Sequence, residues 1–232
     1  MHGEEQPDRG LPRKERERLA RRQDILRAAE RVLNQRGYYG ATIEEIAHEA
    51  EFAVGTIYNF FTNKEELFQE VLDSIAEELT TPLREQVYTQ DDPVEALKAL
   101  IRLRLEHFDR HSGFFRAALE RTPAAKVEPR LAMTPKCEGL YDQYLLEVQG
   151  IFQKGINRGL FVDLDPFYMA LCFQGVLQAF IAYWLRKAPH EPVQTRAAKL
   201  YDTFVASICS RPMPGNGPNT PRQCRESNVG TT

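Results

Sequence analysis

The sequence predicts an all-α protein. Apolar residues recur three and four positions apart through most of the chain, and no run alternates polar and apolar with period two over any length. The punctuation agrees: Ser/Thr-x-x-Glu boxes at helix starts, prolines in first turns and glycines just past helix ends.

The elements follow in order. Residues 1–12 hold Gly, Pro and charges without periodicity and are expected to be irregular. From Arg13 the chain turns basic, with Arg13, Lys14, Arg16, Arg18, Arg21 and Arg22 interrupted by Glu15 and Glu17. Ile25, Ala28, Ala29, Val32 and Leu33 then form one face of an amphipathic helix that Gly37 ends. Thr42-Ile43-Glu44-Glu45 is a capping box that opens a short second helix with inner residues Ile43, Ile46, Ala47 and Ala50. A third segment covers 54–61. Thr62-Asn63-Lys64-Glu65 reads as a second capping box, opening a helix whose buried side is Leu67, Phe68, Val71, Leu72, Ile75 and Leu79; Pro82 stops or bends it. Further helices are expected over 93–110, 114–121, 140–158, 167–185 and 192–210. Pro123, Pro129 and Pro135 mark a loop-rich bridge. Residues 211–232, rich in Pro, Gly, Asn and Thr, read as a disordered tail.

Bulk composition narrows the function. The 232 residues are 42% hydrophobic and 27% charged, with a net charge of −3, an ordinary soluble balance. No apolar run is read as long enough to span a bilayer, and the charged N-terminus lacks a signal peptide's apolar stretch, so a cytoplasmic protein with no membrane partner is expected. The four cysteines (Cys137, Cys172, Cys209 and Cys224) lack metal-type spacing. The sequence has no glycine-rich phosphate loop, nucleophile elbow or paired catalytic carboxylates, so no catalytic residue, metal or cofactor is expected.

The stretch VGTIYNFFTNKEELF, from Val54 to Phe68, raises the sharpest question. An isolated strand among helices is unstable, so it is a short helix. Two short helices joined by a tight turn describe a helix-turn-helix, whose second helix enters the DNA major groove. Ile57 and Phe61 point inward, and Gly55 allows close backbone approach to DNA. Thr56, Tyr58 and Asn59 point outward; hydroxyls suit phosphate oxygens and the Asn amide suits adenine. Lys64 offers a cation to a neighbouring phosphate. Core burial of Tyr58 and Phe60 is the competing reading.

The segment ATIEEIAHEAEFAVGTIYNFFTNKEELF resembles the DNA-binding domain of the tetracycline-repressor (TetR) family. That family's run is Ala-Gly-Val-Ser-x-Gly-Thr-Leu-Tyr-x-Tyr-Phe-x-x-Lys-Glu-x-Leu, and Ala50, Gly55, Thr56, Tyr58, Phe61, Lys64, Glu65 and Leu67 match it. The chain departs from it at three places. Glu51 stands where the family usually has Gly, Ala53 replaces a Ser or Thr helix cap, and Val54 replaces a basic or polar residue.

The resemblance implies a dimeric regulator, most simply a repressor, released from double-stranded operator DNA by a small-molecule effector. It implies a disordered, basic N-terminal arm (1–18), a DNA-binding domain (19–79, helix-turn-helix 42–61) and an effector-binding and dimerisation domain (83–210). The DNA contacts it implies are Thr42, Val54, Gly55, Thr56, Tyr58, Asn59, Lys64, Arg21 and Arg22. It implies homodimerisation through the last two long helices. An activator of the same fold, or a helical module for protein contacts, are the alternatives.

The C-terminal part offers geometry rather than a motif. Leu97, Ile101 and Phe108 share one helix face with Arg104 inside it; His107 and His111 lie on its flank. Three readings of this group compete: Arg104 pairs with a core carboxylate, Arg104 binds an anionic or polar effector, or the two histidines hold a metal, for which two ligands are too few. Tyr144, Gln174 and Gln178 complete the expected effector-binding set.

Overall fold

The computed structural model describes residues 12–126, 128–187 and 191–208. The expected tail at 211–232 and most of the expected irregular N-terminus lie outside these residues, as do Cys209 and Cys224. No β-strand forms among the described residues, and the fold is all-helical with an N-terminal helix-turn-helix. The helices are α1 (Arg13–Gly40), α2 (Ile43–Glu49), α3 (Val54–Tyr58), α4 (Lys64–Glu78), α5 (Thr80–Leu83), α6 (Pro93–Arg110), α7 (Ser112–Arg121), α8 (Pro135–Asn157), α9 (Pro166–Arg186) and α10 (Val193–Ile208). A π-helical turn, Arg84–Tyr88, follows α5, so α4 ends at Glu78 and Pro82 lies within the helical path that continues to Tyr88.

The chain divides into two compact units, residues 1–75 with 113–134 and residues 76–112 with 135–232. The expected domain over 83–210 therefore needs correcting, because 113–134 folds with the N-terminal helices. The cause is apolar: Phe114, Ala117 and Ala118 of α7 join the core formed by Ile25, Ala29, Leu33, Ile46, Ile57 and Phe68. The Phe114 and Phe68 rings stack at 4.8 Å, and Tyr38 meets Phe68 edge-on at 5.0 Å. Stacked and edge-on aromatic pairs add stabilisation beyond area burial.

The N-terminal arm needs a second correction. Helix α1 begins at Arg13, so the basic stretch 13–18 is helical rather than irregular. At the other end Gly37, at φ 71°, breaks the helix as expected. The box at Thr42 forms in full, with the Thr42 hydroxyl accepting from the Glu45 amide and the Glu45 carboxylate accepting from the Thr42 amide. The box before α4 is shifted by one residue: the Asn63 side chain accepts from the Glu66 amide, and Glu66 accepts from the Thr62 amide and hydroxyl. These bonds hold the Glu66 carboxyl below the usual range. That frees Glu65, which accepts from the Tyr38 hydroxyl at 2.7 Å and pairs with Arg121 at 2.9 Å.

In the second unit, Asp92 caps α6 and Asp165 caps α9, each ahead of a proline in the first turn. Phe152, Phe161, Phe173 and Phe204 form an aromatic cluster linking α8, α9 and α10. Helix α9 corrects the membrane reading in part: its 21 residues are long and apolar enough to cross a bilayer, with a third of that window buried. Its inner side, including Met169, Phe173, Leu177 and Ile181, packs within the protein.

Candidate functional site

Helices α2 and α3 meet through a turn in which Glu51 adopts a left-handed φ of 59°. A non-glycine residue there costs about 1–2 kcal/mol. The Phe52 amide donates to the Ala47 carbonyl and holds the turn closed. Helix α3 then starts without a side-chain cap at Ala53, as its sequence implies. Ile57 is fully buried and Phe61 nearly so, which fixes the roll of this five-residue helix. Gly55, Tyr58 and Asn59 are exposed, and a Cβ at Gly55 would meet nothing within 4 Å. Tyr58 is 52% exposed, against the core reading of this ring. Thr56 is half-buried; Val54 and Phe60 are too, packed against the core.

Three candidate DNA contacts are engaged within the protein. Lys64 donates to the carbonyls of Tyr38 (2.7 Å) and Ala41 (2.9 Å), with its ammonium 4.6 Å from the Tyr38 ring centroid. It ties the start of α4 to the end of α1, because those carbonyls have lost helical partners beyond the Gly37 break. Arg22 pairs with Glu70 at 2.7 Å and lies over the Phe61 ring at 5.2 Å. The Thr42 hydroxyl accepts the α2 cap bond. Arg21 is exposed, and among the described residues it forms no ion pair. Arg18, which the motif did not single out, lies over the Phe60 ring at 5.9 Å. The basic turns of α1 thus reach the residues that follow α3, with Lys14, Arg16, Arg18 and Arg21 exposed.

The second unit gathers part of the proposed effector set. Arg104 of α6 lies 5.0 Å from the Tyr144 ring centroid of α8, a cation–π contact. Its Nε and the Tyr144 hydroxyl are buried without hydrogen-bond partners among the described residues. Burial pushes the Tyr144 phenol up to about 12 despite the nearby Arg104 charge. Burial also raises Tyr88, on which Tyr144, Glu147 and Arg104 act as well. No carboxylate pairs with Arg104 among the described residues. The structural arginine is Arg196, 4% exposed, whose guanidinium donates to Asp109 and lies 4.9 Å from the Trp184 ring. Gln174 is buried with an unpartnered carbonyl oxygen, and Gln178 is half-buried on the same helix.

His107 and His111 form a separate cluster. Their ring centroids lie 4.6 Å apart, and His111 Nε2 is 3.1 Å from a Glu78 carboxylate oxygen. Burial first, then the charges of His111, Arg104 and Arg110, push the His107 pKa down from 6.5 to about 3. A proton at His107 therefore prefers the unfolded chain. The stability that neutral His107 contributes is complete above about pH 6.5 and is lost as pH falls towards 3. Denaturant unfolding should show about 1–2 kcal/mol lost between pH 6.5 and about pH 5, and His107→Gln should flatten that slope. Equal slopes in the two proteins would place the acid sensitivity elsewhere.

Arg121, Glu78, Asp109 and Arg196 were not singled out in the sequence, and Glu65 reads there as a cap and motif residue rather than as a partner of Tyr38 and Arg121. Each meets its partner across helices, so spacing along one helix carries no sign of the pairing.

The chain has recognisable relatives. Residues 25–71 match the family described as bacterial regulatory proteins, tetR family. The chain is 27% identical to YhgD, an uncharacterized HTH-type transcriptional regulator of Bacillus subtilis, over 192 residues, 78% of this chain and 93% of the relative. It is also 27% identical to the fatty acid metabolism regulator protein of that organism, over 189 residues, 79% of this chain and 93% of the relative. Among solved structures, the regulator FadR from Bacillus subtilis in complex with stearoyl-CoA superposes with a TM-score of 0.64 at 21% identity, covering 80% of this chain and 98% of the other. At that identity the likeness is one of fold. These relatives are transcriptional regulators rather than enzymes.

Proposed function

Because the chain belongs to the TetR family of bacterial transcriptional regulators, we propose that it is a cytoplasmic, non-catalytic, dimeric repressor that reads operator DNA with α3 and leaves it when an effector with an apolar body and one acidic or carbonyl group binds the second unit. The observation that carries the DNA reading is the exposed face of α3: Gly55 without a side chain, flanked by Tyr58 and Asn59, on a helix locked by Ile57. The Gly55 backbone approaches a groove edge, Asn59 reads a base, and Tyr58 and Arg21 hold phosphates. Lys64 serves DNA binding by fixing the start of α4, a change from the direct phosphate role its position suggests.

These roles separate in titrations. Asn59→Ala should relax preference at particular base pairs by about 1–3 kcal/mol while leaving the salt slope unchanged. Arg21→Ala should weaken all sequences alike and flatten the slope by about one unit. Identical behaviour of the two variants would remove the assignment.

The effector reading rests on Arg104 and Tyr144, whose buried Nε and hydroxyl have no hydrogen-bond partner among the described residues. A charged hydrogen bond from Arg104 to a ligand's acid or carbonyl is worth roughly 1.5–3 kcal/mol. The relative that regulates fatty acid metabolism makes fatty acids and their coenzyme A thioesters the first probes. Arg104→Met should fold, bind operator and require at least about tenfold more of the active probe for release. Release of both proteins at the same probe concentration would exclude Arg104 from the site.

A further inference from the structure

We propose that Glu78, His107 and His111 form a site for a divalent transition-metal ion of the zinc class. His107 and His111 stand one turn apart at the end of α6, the spacing at which two imidazoles can share an ion. Two ligands alone are too few, and the fold supplies the third. Glu78, the last residue of α4, brings a carboxylate oxygen to 3.1 Å from His111 Nε2. One donor atom from each of the three residues lies within 4.8 Å of the others. Ligands bonded to one zinc ion at ~2.0–2.2 Å stand ~3.4 Å apart in a tetrahedron, so side-chain rotation closes the set.

The surroundings fit the same chemistry. Both imidazoles are buried, and the Glu78 side chain is 44% exposed, so the ion enters from the Glu78 side into a site whose nitrogen donors are shielded from water. The two imidazole rings lie 4.6 Å apart, so both present nitrogen donors to the same small volume. Nitrogen-rich donors select zinc, cobalt, nickel or copper over magnesium and calcium, which take oxygen. Three protein ligands leave a fourth position for water or a small ligand. A bound ion pins the C-terminal end of α4 to the last turn of α6. The three donor residues differ from those of the α3 face and from the Arg104–Tyr144 pair, so a zinc titration tests them apart from the proposed DNA and effector roles.

The test uses the full chain, stripped of metal with a chelator and desalted. Zinc chloride titrated calorimetrically into it should bind at one ion per chain and raise the melting temperature. Cobalt chloride should give the visible absorption of a low-coordinate, nitrogen-bearing site. Glu78→Gln, at a half-exposed position, should retain the fold and weaken zinc binding at least tenfold. His107→Gln combined with His111→Gln should abolish the cobalt spectrum. No zinc binding by the wild-type chain, or equal stoichiometry and affinity in wild type and Glu78→Gln, would overturn the site; the second result would place the ion elsewhere, for instance at exposed His48 or Cys172.

Discussion

Replacing Asp109 by alanine is expected to destabilise the protein by about 3 kcal/mol, a fall of roughly 6–12 °C in melting temperature. Arg196 is the reason. Its guanidinium is 4% exposed, Asp109 is its one carboxylate partner among the described residues, and its Nε and Nη1 have no hydrogen-bond acceptors. Removing the carboxylate leaves a buried cation whose remaining compensation is the face of Trp184. The expected loss sits at the low end for broken buried pairs because the Asp109 side chain is itself 39% exposed. The pair links α6 to α10, so its loss loosens two long helices together. Adding Arg196→Met to Asp109→Ala should restore much of the loss, since an apolar chain of similar length replaces the uncompensated charge. Arg104→Met should cost far less alone, because no carboxylate among the described residues pairs with Arg104. If Asp109→Ala melts within 2 °C of wild type, the pair is not a structural tie.

Replacing Leu171 by glutamate is expected to convert a dimer into a monomer and to weaken operator binding by about a hundredfold or more. The outer side of α9 presents Tyr168 (65% exposed), Leu171 (44%), Cys172, Gly175, Ala179 and Tyr183 (47%), spaced to form one continuous helical stripe. A stripe of this length is apolar surface of the kind that a second subunit covers, and the small residues at its centre let two helices approach closely. Sedimentation at micromolar concentration should give twice 26.7 kDa for the wild-type chain and close to 26.7 kDa for Leu171→Glu. Leu171 is exposed, so the variant should keep its secondary structure and lose affinity through loss of the second half-site. A Leu171→Glu protein that remains dimeric would move the interface off this face.

The parts of the fold governed by local chemistry were legible in the sequence. Gly37 breaks α1, Thr42 and Glu45 close a capping box, and Ile57 and Phe61 are buried, each as periodicity and cap rules require. What escaped was set by distant partners. Phe114 looks like any apolar residue of a short helix, yet its stacking on Phe68 draws 113–134 into the first unit. Lys64 sits where a phosphate contact is expected, but the carbonyls of Tyr38 and Ala41 capture its ammonium. Arg104 and Arg196 are both arginines on amphipathic helices. Only the packing shows that Arg196 has the carboxylate while Arg104 faces a tyrosine ring. The third member of the histidine cluster, Glu78, lies on another helix, 29 residues from His107 (107 − 78).

Two copies of this chain are expected to read paired half-sites through α3. Selection of bound fragments from random double-stranded DNA by the purified protein, followed by titration of the enriched sequence at two salt concentrations, tests it most directly. The expected product is a sequence with two-fold symmetry, its half-sites about one helical turn (~34 Å) or a multiple apart, bound by two chains with an affinity that falls steeply as salt rises. Enrichment of no sequence over the starting pool, or of a single half-site bound by one chain, would contradict it.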